Sequence, residues 1–521
     1  MFTITMVSAL SRAASFEIIE AEENMYYASC EYDVRLNGEE VYRGKTNVFS
    51  LHGLSPSTYY EIYVHMQNGS SAFYQFVTPR ETILLDVTRF GAQGDGKTVC
   101  TDALQAAISV CPKGGTVVIP KGVYLSYPLF LKSDMLLYLE EGAVLLGGTE
   151  RARYPVLPGT VAYGQHENSY ASWEGDPSDS YASLLTMIGV QNTAVAGPGV
   201  IDGNAQNTDW WENVKVRRGA WRPRTIFCAH SQNITLLGVT VQNSPSWTIH
   251  PYYCEDIDVV DIKLINPPDS PNTDGCNPES CRNVRIIGAD ISVGDDCISV
   301  KSGKHYMASY HPKASENILV RNCLLQRGHG AVVVGSEISC GVHGLHVERC
   351  IFRKTDRGLR IKTRRGRGIS SVVDAVWMRN IVMEDVLTPF VVNMFYFCDP
   401  DGHSEMVSSK KLQPVNELTP SIRRIHCENI AITGAGCAGC FFYGLPEKPI
   451  ESVSMKNVSI RFAEDAKPGF PAMMDDIEKA CGLGFFACNV ERVYLENMSL
   501  WGTQGEPYQL QAVDSFMCKE C

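Results

Sequence analysis

Two aspartates stand side by side, Asp295 and Asp296, in the stretch SVGDDCISVKSG at 292–303, and apolar residues resume directly after them. A strand normally avoids Asp, and crowded carboxylates repel one another, so one of a group keeps its proton. Such a group offers acid and base together: a carboxylic acid to protonate a leaving oxygen, and a carboxylate to activate water. Asp274 in PNTDG adds a third carboxyl, with Asn272 two residues before it, and His329 in RGHGA adds an imidazole. Arg360 and Lys362 in GLRIKT can hold a substrate carboxylate, the Arg through two parallel hydrogen bonds. Arg364 and Arg365 extend the cationic set, since six of the eleven residues from Arg357 to Arg367 are basic in a chain of net charge −12. A positive strip on an acidic protein marks a local site for a polyanion.

These residues are far apart in sequence, so a repeating scaffold must bring them together. From residue 233 onward a unit recurs: a polar residue, an alternating apolar run, a corner rich in Gly or Asn, and a second run. Copies start at Asn233, Asp256, Asn283, Asn317 and Leu345, with weaker ones in IHCENIAITGAG and VSMKNVSIRF. Short strands at this period indicate a solenoid, and without regular Leu offsets or a helix per coil the pattern fits a right-handed parallel β-helix. Equivalent positions of successive coils then lie about 4.8 Å apart. Asp295 follows Asn283 by 12 residues and His329 follows Asn317 by 12, which predicts vertical neighbours. Aligning GLRIKT with DCISVK and GAVVVG puts Arg360 and Lys362 one coil further on, facing outward. TDALQAAISVC at 101–111 reads as an amphipathic helix, with Thr101 or Asp102 as N-cap, placed to cover the first coil.

The fold class is therefore all-β: a parallel β-helix over 86–521, preceded by a small β-sandwich at 15–80 and a tail at 1–14. The sandwich reading rests on alternating runs and on LSPSTYYEIYV, which resembles the Leu-x-Pro-x-Thr-x-Tyr stretch of fibronectin type III modules; about 65 residues is short for that fold. A packing or spacing role is expected for it. The 46 Lys and Arg against 58 Asp and Glu argue against nucleic acid, and no apolar run is long enough for a membrane span. The first residues lack a basic segment before their apolar patch. Most of the nineteen cysteines sit in apolar runs, as buried thiols do. Together these features predict a cytoplasmic protein, with secretion or surface display as the alternative.

In the four motifs NTD (272–274), GDD (294–296), GHG (328–330) and RIK (360–362), in that order, the sequence resembles glycoside hydrolase family 28, the polygalacturonases. FGAQGDGKT, GPGVIDGN and NSPSWTIHP support the match, which covers about 86–505. The resemblance implies hydrolysis of α-1,4-galacturonosyl bonds in pectic polymers or oligomers, by inversion, with no metal or other cofactor and no covalent intermediate. It implies that Asp295 is the general acid and that Asp274 and Asp296 hold and deprotonate the water. His329 then tunes the acid, while Asn272, Arg360, Lys362, Arg364 and Arg365 attend the substrate. NPESC, GSEIS and RGLRIKTRRGRG resemble bacterial exo-acting members. The stretch 151–224 is expected to wall one end of the cleft, with Trp210, Trp211 and Trp221 available to stack on sugars and at least one of them packed inside instead, and Arg222 or Arg224 touching a carboxylate. An endo mode, or a rhamnogalacturonan or xylogalacturonan substrate, remains the alternative. A calcium-dependent lyase has no use for the GHG and RIK motifs, and a non-catalytic binding solenoid would not need all six polar positions.

Overall fold

The computed structural model describes residues 2–21, 24–163 and 166–520. Parallel strands stack coil on coil into a β-helix, each coil adding a rung to ladders that run the length of the molecule. One ladder climbs through Gln232–Leu237, Glu255–Val260, Arg282–Ile287 and Ser315–Arg321. A second climbs through Ile298–Val300, Val332–Gly335, Arg357–Lys362 and Thr388–Asn393, and forms the floor of the cleft.

The polar residue that opens each repeat is the corner of its coil. Asn233, Asp256, Asn283 and Asn317 all take φ between 54° and 56°, the left-handed region that Asn and Asp tolerate best. Their side chains link coil to coil, Asn283 donating down to Asp256 at 2.9 Å and Asn317 down to Asn283 at 3.2 Å. The inward residues form one continuous core, in which Cys276, Cys281, Cys297, Cys323 and Cys350 are fully buried. Among the described residues seventeen cysteines carry free thiols, and Cys518 is disulfide-bonded.

The helix Thr101–Val110 covers the first coil with Leu104, Ala107 and Ile108. Its N-cap is neither Thr101 nor Asp102. Cys100 holds that position without a side-chain cap, because the Thr101 hydroxyl instead accepts the amide of Tyr127 at 2.9 Å.

Residues 2–14 do not form a tail. Phe2–Ala9 pairs antiparallel with Ala13–Glu20, and Phe2 and Ile4 are buried by the same alternation that built the other strands. With Val48–His52 they make a three-stranded sheet facing a four-stranded one, Glu39–Thr46, Tyr27–Leu36, Tyr59–Met66 and Ser71–Val77. The two sheets together hold seven strands from Phe2 to Val77, and the span 15–80 omits the first of them and the start of the second. It lies against the solenoid: Val48 packs with Val260 and Ile287, and Tyr26 with Leu324 and Ile351. Gly288 makes room for the contact, since a Cβ there would come within 2.6 Å of Val48 Cβ.

Candidate active site

Register places the polar side chains. Ile298 pairs with Val332, so Asp295 lies directly below His329, whose amide donates to the Asp295 carbonyl at 3.0 Å. Val333 pairs with Arg360 and Gly335 with Lys362, the alignment expected from GLRIKT. Cys276 bridges Ile298, and the Gly275 amide donates to the Asp296 carbonyl at 3.0 Å, which brings Asp274 onto the coil beneath the pair. Asp274, Asp295, Asp296, His329, Asn272, Arg360 and Lys362 consequently line one cavity of about 230 Å³.

One oxygen from each aspartate lies within 4.8 Å of those of the other two. Asp274 is buried, and burial pushes its carboxyl well above the usual range, with the Asp295 charge adding to the effect and Lys301 opposing it. Its side chain accepts a hydrogen bond from Asn277 at 2.9 Å. Burial would also raise Asp295, but the hydrogen bond from His329, then the charges of His329, Lys362 and Arg360, outweigh it and hold Asp295 below the usual carboxylate range. Asp296 reaches up two coils to Lys362 at 2.8 Å and to Arg360 at 3.5 Å. Gly330 on the intervening coil permits this reach, since a Cβ there would lie 3.1 Å from the Asp296 carboxylate and closer still to Val333. Three carboxylates so spaced would suit a cation by distance alone, but His329, Lys301, Arg360 and Lys362 already supply positive charge around them.

A family model described as glycosyl hydrolases family 28 matches residues 116–467. The chain belongs to that family. A probable polygalacturonase of Vitis vinifera is 30% identical over 75% of this chain and 76% of its own length. An exo-poly-alpha-D-galacturonosidase of Dickeya chrysanthemi is 26% identical over 63% of this chain, and the match spans 59% of that enzyme. The solved family 28 exopolygalacturonase of Yersinia enterocolitica shares the fold across 99% of this chain and 98% of its own, with 20% identity and a TM-score of 0.72. An exopolygalacturonase of Thermotoga maritima is 25% identical over 76% of this chain and 95% of its own, with a TM-score of 0.63. This family 28 protein is a glycoside hydrolase built on a parallel β-helix.

Several residues expected at the family 28 site stand elsewhere. Arg365 is turned into the protein, where Glu447 takes both its Nε and Nη2 and the carbonyls of Met406 and Ser409 take Nη1. Arg364 pairs with Asp399 and Asp401 at 3.1 and 2.7 Å. Both brace loops, because past Lys362 the chain leaves the strand and the outward alternation ends. Trp210 is fully buried among Tyr127, Tyr154 and Ala205, with the Arg151 guanidinium 3.8 Å over its ring. Trp211 donates to the Ser244 carbonyl, and Trp221 stacks on Trp173 at 4.7 Å. Arg224 donates to the Ser172 carbonyl. Arg222 fastens the turn that presents Asp274, donating to the carbonyls of Pro245 and Pro271 at 2.9 Å each and to Asn272 Oδ1 at 2.6 Å.

Other residues line the cavity without being flagged by the motifs: Trp247, Lys301, Glu337, Glu174, Tyr396 and Met473. Lys301 is within reach of the repeat pattern, because it stands in the same ladder position as Gly335 and Lys362 and pairs with Glu337 at 3.0 Å. Tyr396 and Met473 arrive on loops that no repeat pattern places.

Two expectations follow from the geometry. Arg360 is buried between Asp296, Tyr396 and Met473, with Nη2 2.8 Å from the Met473 sulfur. Arg360→Lys is expected to weaken binding of galacturonate oligomers beyond what its preserved charge suggests, because the planar fork is lost. Calorimetric titration checks this, and equal affinity in parent and variant sinks it. The second concerns pH. The hydrogen bond to Asp295 raises His329 to about 9, against the effect of burial. The ion-paired form persists below that value and is lost as pH rises through it, while on the acid side it is lost as pH falls through the lowered Asp295 value. The His329 ring is 55% exposed, so the pair governs titration rather than stability. Activity is expected to fail on the alkaline side, and His329→Gln to move the acid limb of the kcat/KM profile upward as Asp295 loses its partner. An unmoved acid limb contradicts the pairing.

Proposed function

We propose that the enzyme cleaves α-1,4-galacturonosyl linkages of polygalacturonate or oligogalacturonides from a chain end, with inversion, Asp295 acting as acid and Asp274 with Asp296 holding the water. The observation that carries the chain-end reading is a wall. The hairpin at Ser172–Trp173 and Asp176–Pro177 is joined to the loop at Asp399 through Lys304, whose ammonium lies 3.5 Å from Asp176 and 3.2 Å from Asp399. Asp399 is in turn held by Arg367 at 2.6 Å. A walled pocket suits a terminal sugar, whereas internal cleavage needs a groove open at both ends.

In the free enzyme burial and the Asp295 charge push the Asp274 carboxyl up, while the His329 hydrogen bond and the nearby cations hold Asp295 down. A substrate carboxylate bound to Arg360 and Lys362 would offset two of the charges that hold Asp295 down, so Asp295 becomes more basic as the sugar arrives. The carboxyl oxygens are near enough for one water to relay the proton. The test is product analysis on polygalacturonate: release of monomer or dimer with slow viscosity loss is expected, and a rapid viscosity drop at low sugar release rejects the chain-end mode. Proton NMR of the fresh product is expected to show the β-anomer first. For compartment, the buried free thiols support a reducing cytoplasm. The unfolded protein is then expected to titrate nearly all its thiols without prior reduction, and a largely oxidised native protein points to secretion.

A further inference from the structure

The cavity is furnished for anions, yet one carboxylate in it has neither an ion pair nor a hydrogen bond. Glu174 lines the same cavity as the three aspartates and makes no hydrogen bond or ion pair among the described residues. It sits at the tip of the hairpin formed by Ser172–Trp173 and Asp176–Pro177, with φ of 49°. The tip is fixed rather than loose. The Lys304 amide donates to the Gly175 carbonyl at 2.8 Å. Gly175, at φ +83°, leaves no space for a side chain, since a Cβ there would come within 2.6 Å of Glu337 Cβ. Trp173 behind it stacks on Trp221 and Trp247, at 4.7 and 6.3 Å.

The position of Glu174 along the cleft gives it a substrate partner. Arg222, which fastens the Asp274 turn, feels the charge of Glu174 and that of Asp274. The ring of Trp173, next to Glu174 in the hairpin, lies 5.3 Å from the Arg222 guanidinium, and Arg222 bonds Asn272, so the hairpin tip stands on the Asp274 side of the cavity. On the chain-end reading, Asp274 and Asp296 address the anomeric carbon of the departing terminal sugar, and Asp295 addresses the oxygen that leaves with the remainder. The terminal sugar then lies toward Glu174. A lone carboxylate repels a further uronate but accepts hydrogen bonds from hydroxyls, and only the last sugar of a chain presents a free 4-hydroxyl there.

We propose that Glu174 is a specificity-determining residue that accepts hydrogen bonds from the free hydroxyls of the non-reducing terminal galacturonate, so that the wall reads the chain end chemically as well as sterically. The inference rests on the chain-end reading above. Its test compares trigalacturonate with the same trimer carrying a 4,5-unsaturated non-reducing residue, which lacks the 4-hydroxyl. The parent enzyme is expected to prefer the saturated trimer in kcat/KM by roughly ten- to hundredfold, the worth of a hydrogen bond to a charged group. Glu174→Ala is expected to lose that factor on the saturated trimer, chiefly through KM, and to bring the ratio of the two substrates near one. Glu174→Gln, which keeps an acceptor oxygen, is expected to fall between, and thermal unfolding of both variants reports whether the hairpin is intact. A preference that survives in a folded Glu174→Ala overturns the role of Glu174 while terminal products from the parent leave the chain-end reading standing. Internal fragments from the parent enzyme overturn both.

Discussion

Asp295→Asn is expected to lower turnover of oligogalacturonides by at least about 10²–10⁴-fold, the usual cost of losing a positioned proton donor, with the fold intact. The fold should survive because the Asp295 side chain is partly exposed and its backbone carbonyl, not its carboxylate, anchors the His329 amide. Asp274→Asn and Asp296→Asn should be comparably inactive, but for different reasons. Asp274 is the carboxyl that burial and the Asp295 charge push up, so its amide removes the acid that would pass a proton to Asp295. Asp296 answers Lys362 at 2.8 Å in a buried position, so an amide there also leaves an ammonium without its counter-charge. Substrate binding separates the three cases. Asp295→Asn should bind trigalacturonate about as well as the parent, whereas Asp296→Asn should change affinity, because it alters the cations expected to meet the substrate carboxylate. Steady-state kinetics with calorimetric binding decides the matter. An Asp295→Asn variant retaining above about a tenth of parental turnover would falsify the assignment of the acid.

The column of chemistry is legible in the sequence because a solenoid converts periodicity into position. Asn283 and Asn317 mark corners that need left-handed backbone, and counting 12 residues from each finds Asp295 and His329 in contact. The same ladder alignment reaches Lys301 beneath Lys362. Legibility ends where the period stops. Arg364 and Arg365 follow the outward strand in sequence, but they belong to a loop whose carboxylates, Asp399, Asp401 and Glu447, come from well further along the chain. Trp210 and Trp221 lie in an insertion without alternation, and nothing local distinguishes a tryptophan that packs from one that meets sugar. The first strand escapes for a different reason: its alternation spans only Phe2–Ala9, and its pairing partner is buried on both faces, Ser15 and Glu17 included, so no exposed face marks the register.

The sandwich offers the second large effect, and it bears on stability. Glu17 is buried where the sandwich meets the solenoid, and it takes hydrogen bonds from Arg321 and Asn322 at 2.7 Å each and a further, short one from Arg349. The adjacent Asn47 donates to Asn322 at 3.2 Å. Glu17→Ala leaves the Arg349 guanidinium, only 9% exposed, beside an empty space, and breaking a buried pair in this one-sided way costs about 3–5 kcal/mol. An exposed pair on the same sandwich, Arg43 with Glu40, serves as control, and Glu40→Ala should cost no more than about 0.5 kcal/mol. Glu17→Ala is therefore expected to lower the denaturant midpoint markedly and to open the connection near residues 78–83 to protease, while Glu40→Ala does neither. None of the Glu17 partners lines the catalytic cavity, so kcat/KM of the folded variant at low temperature should match the parent on oligomer and on polymer alike. That equality separates a brace from a sugar-binding module: if Glu17→Ala kept full stability but lost affinity for polygalacturonate, the sandwich would be handling substrate, and its seam with the solenoid would not be what holds it in place.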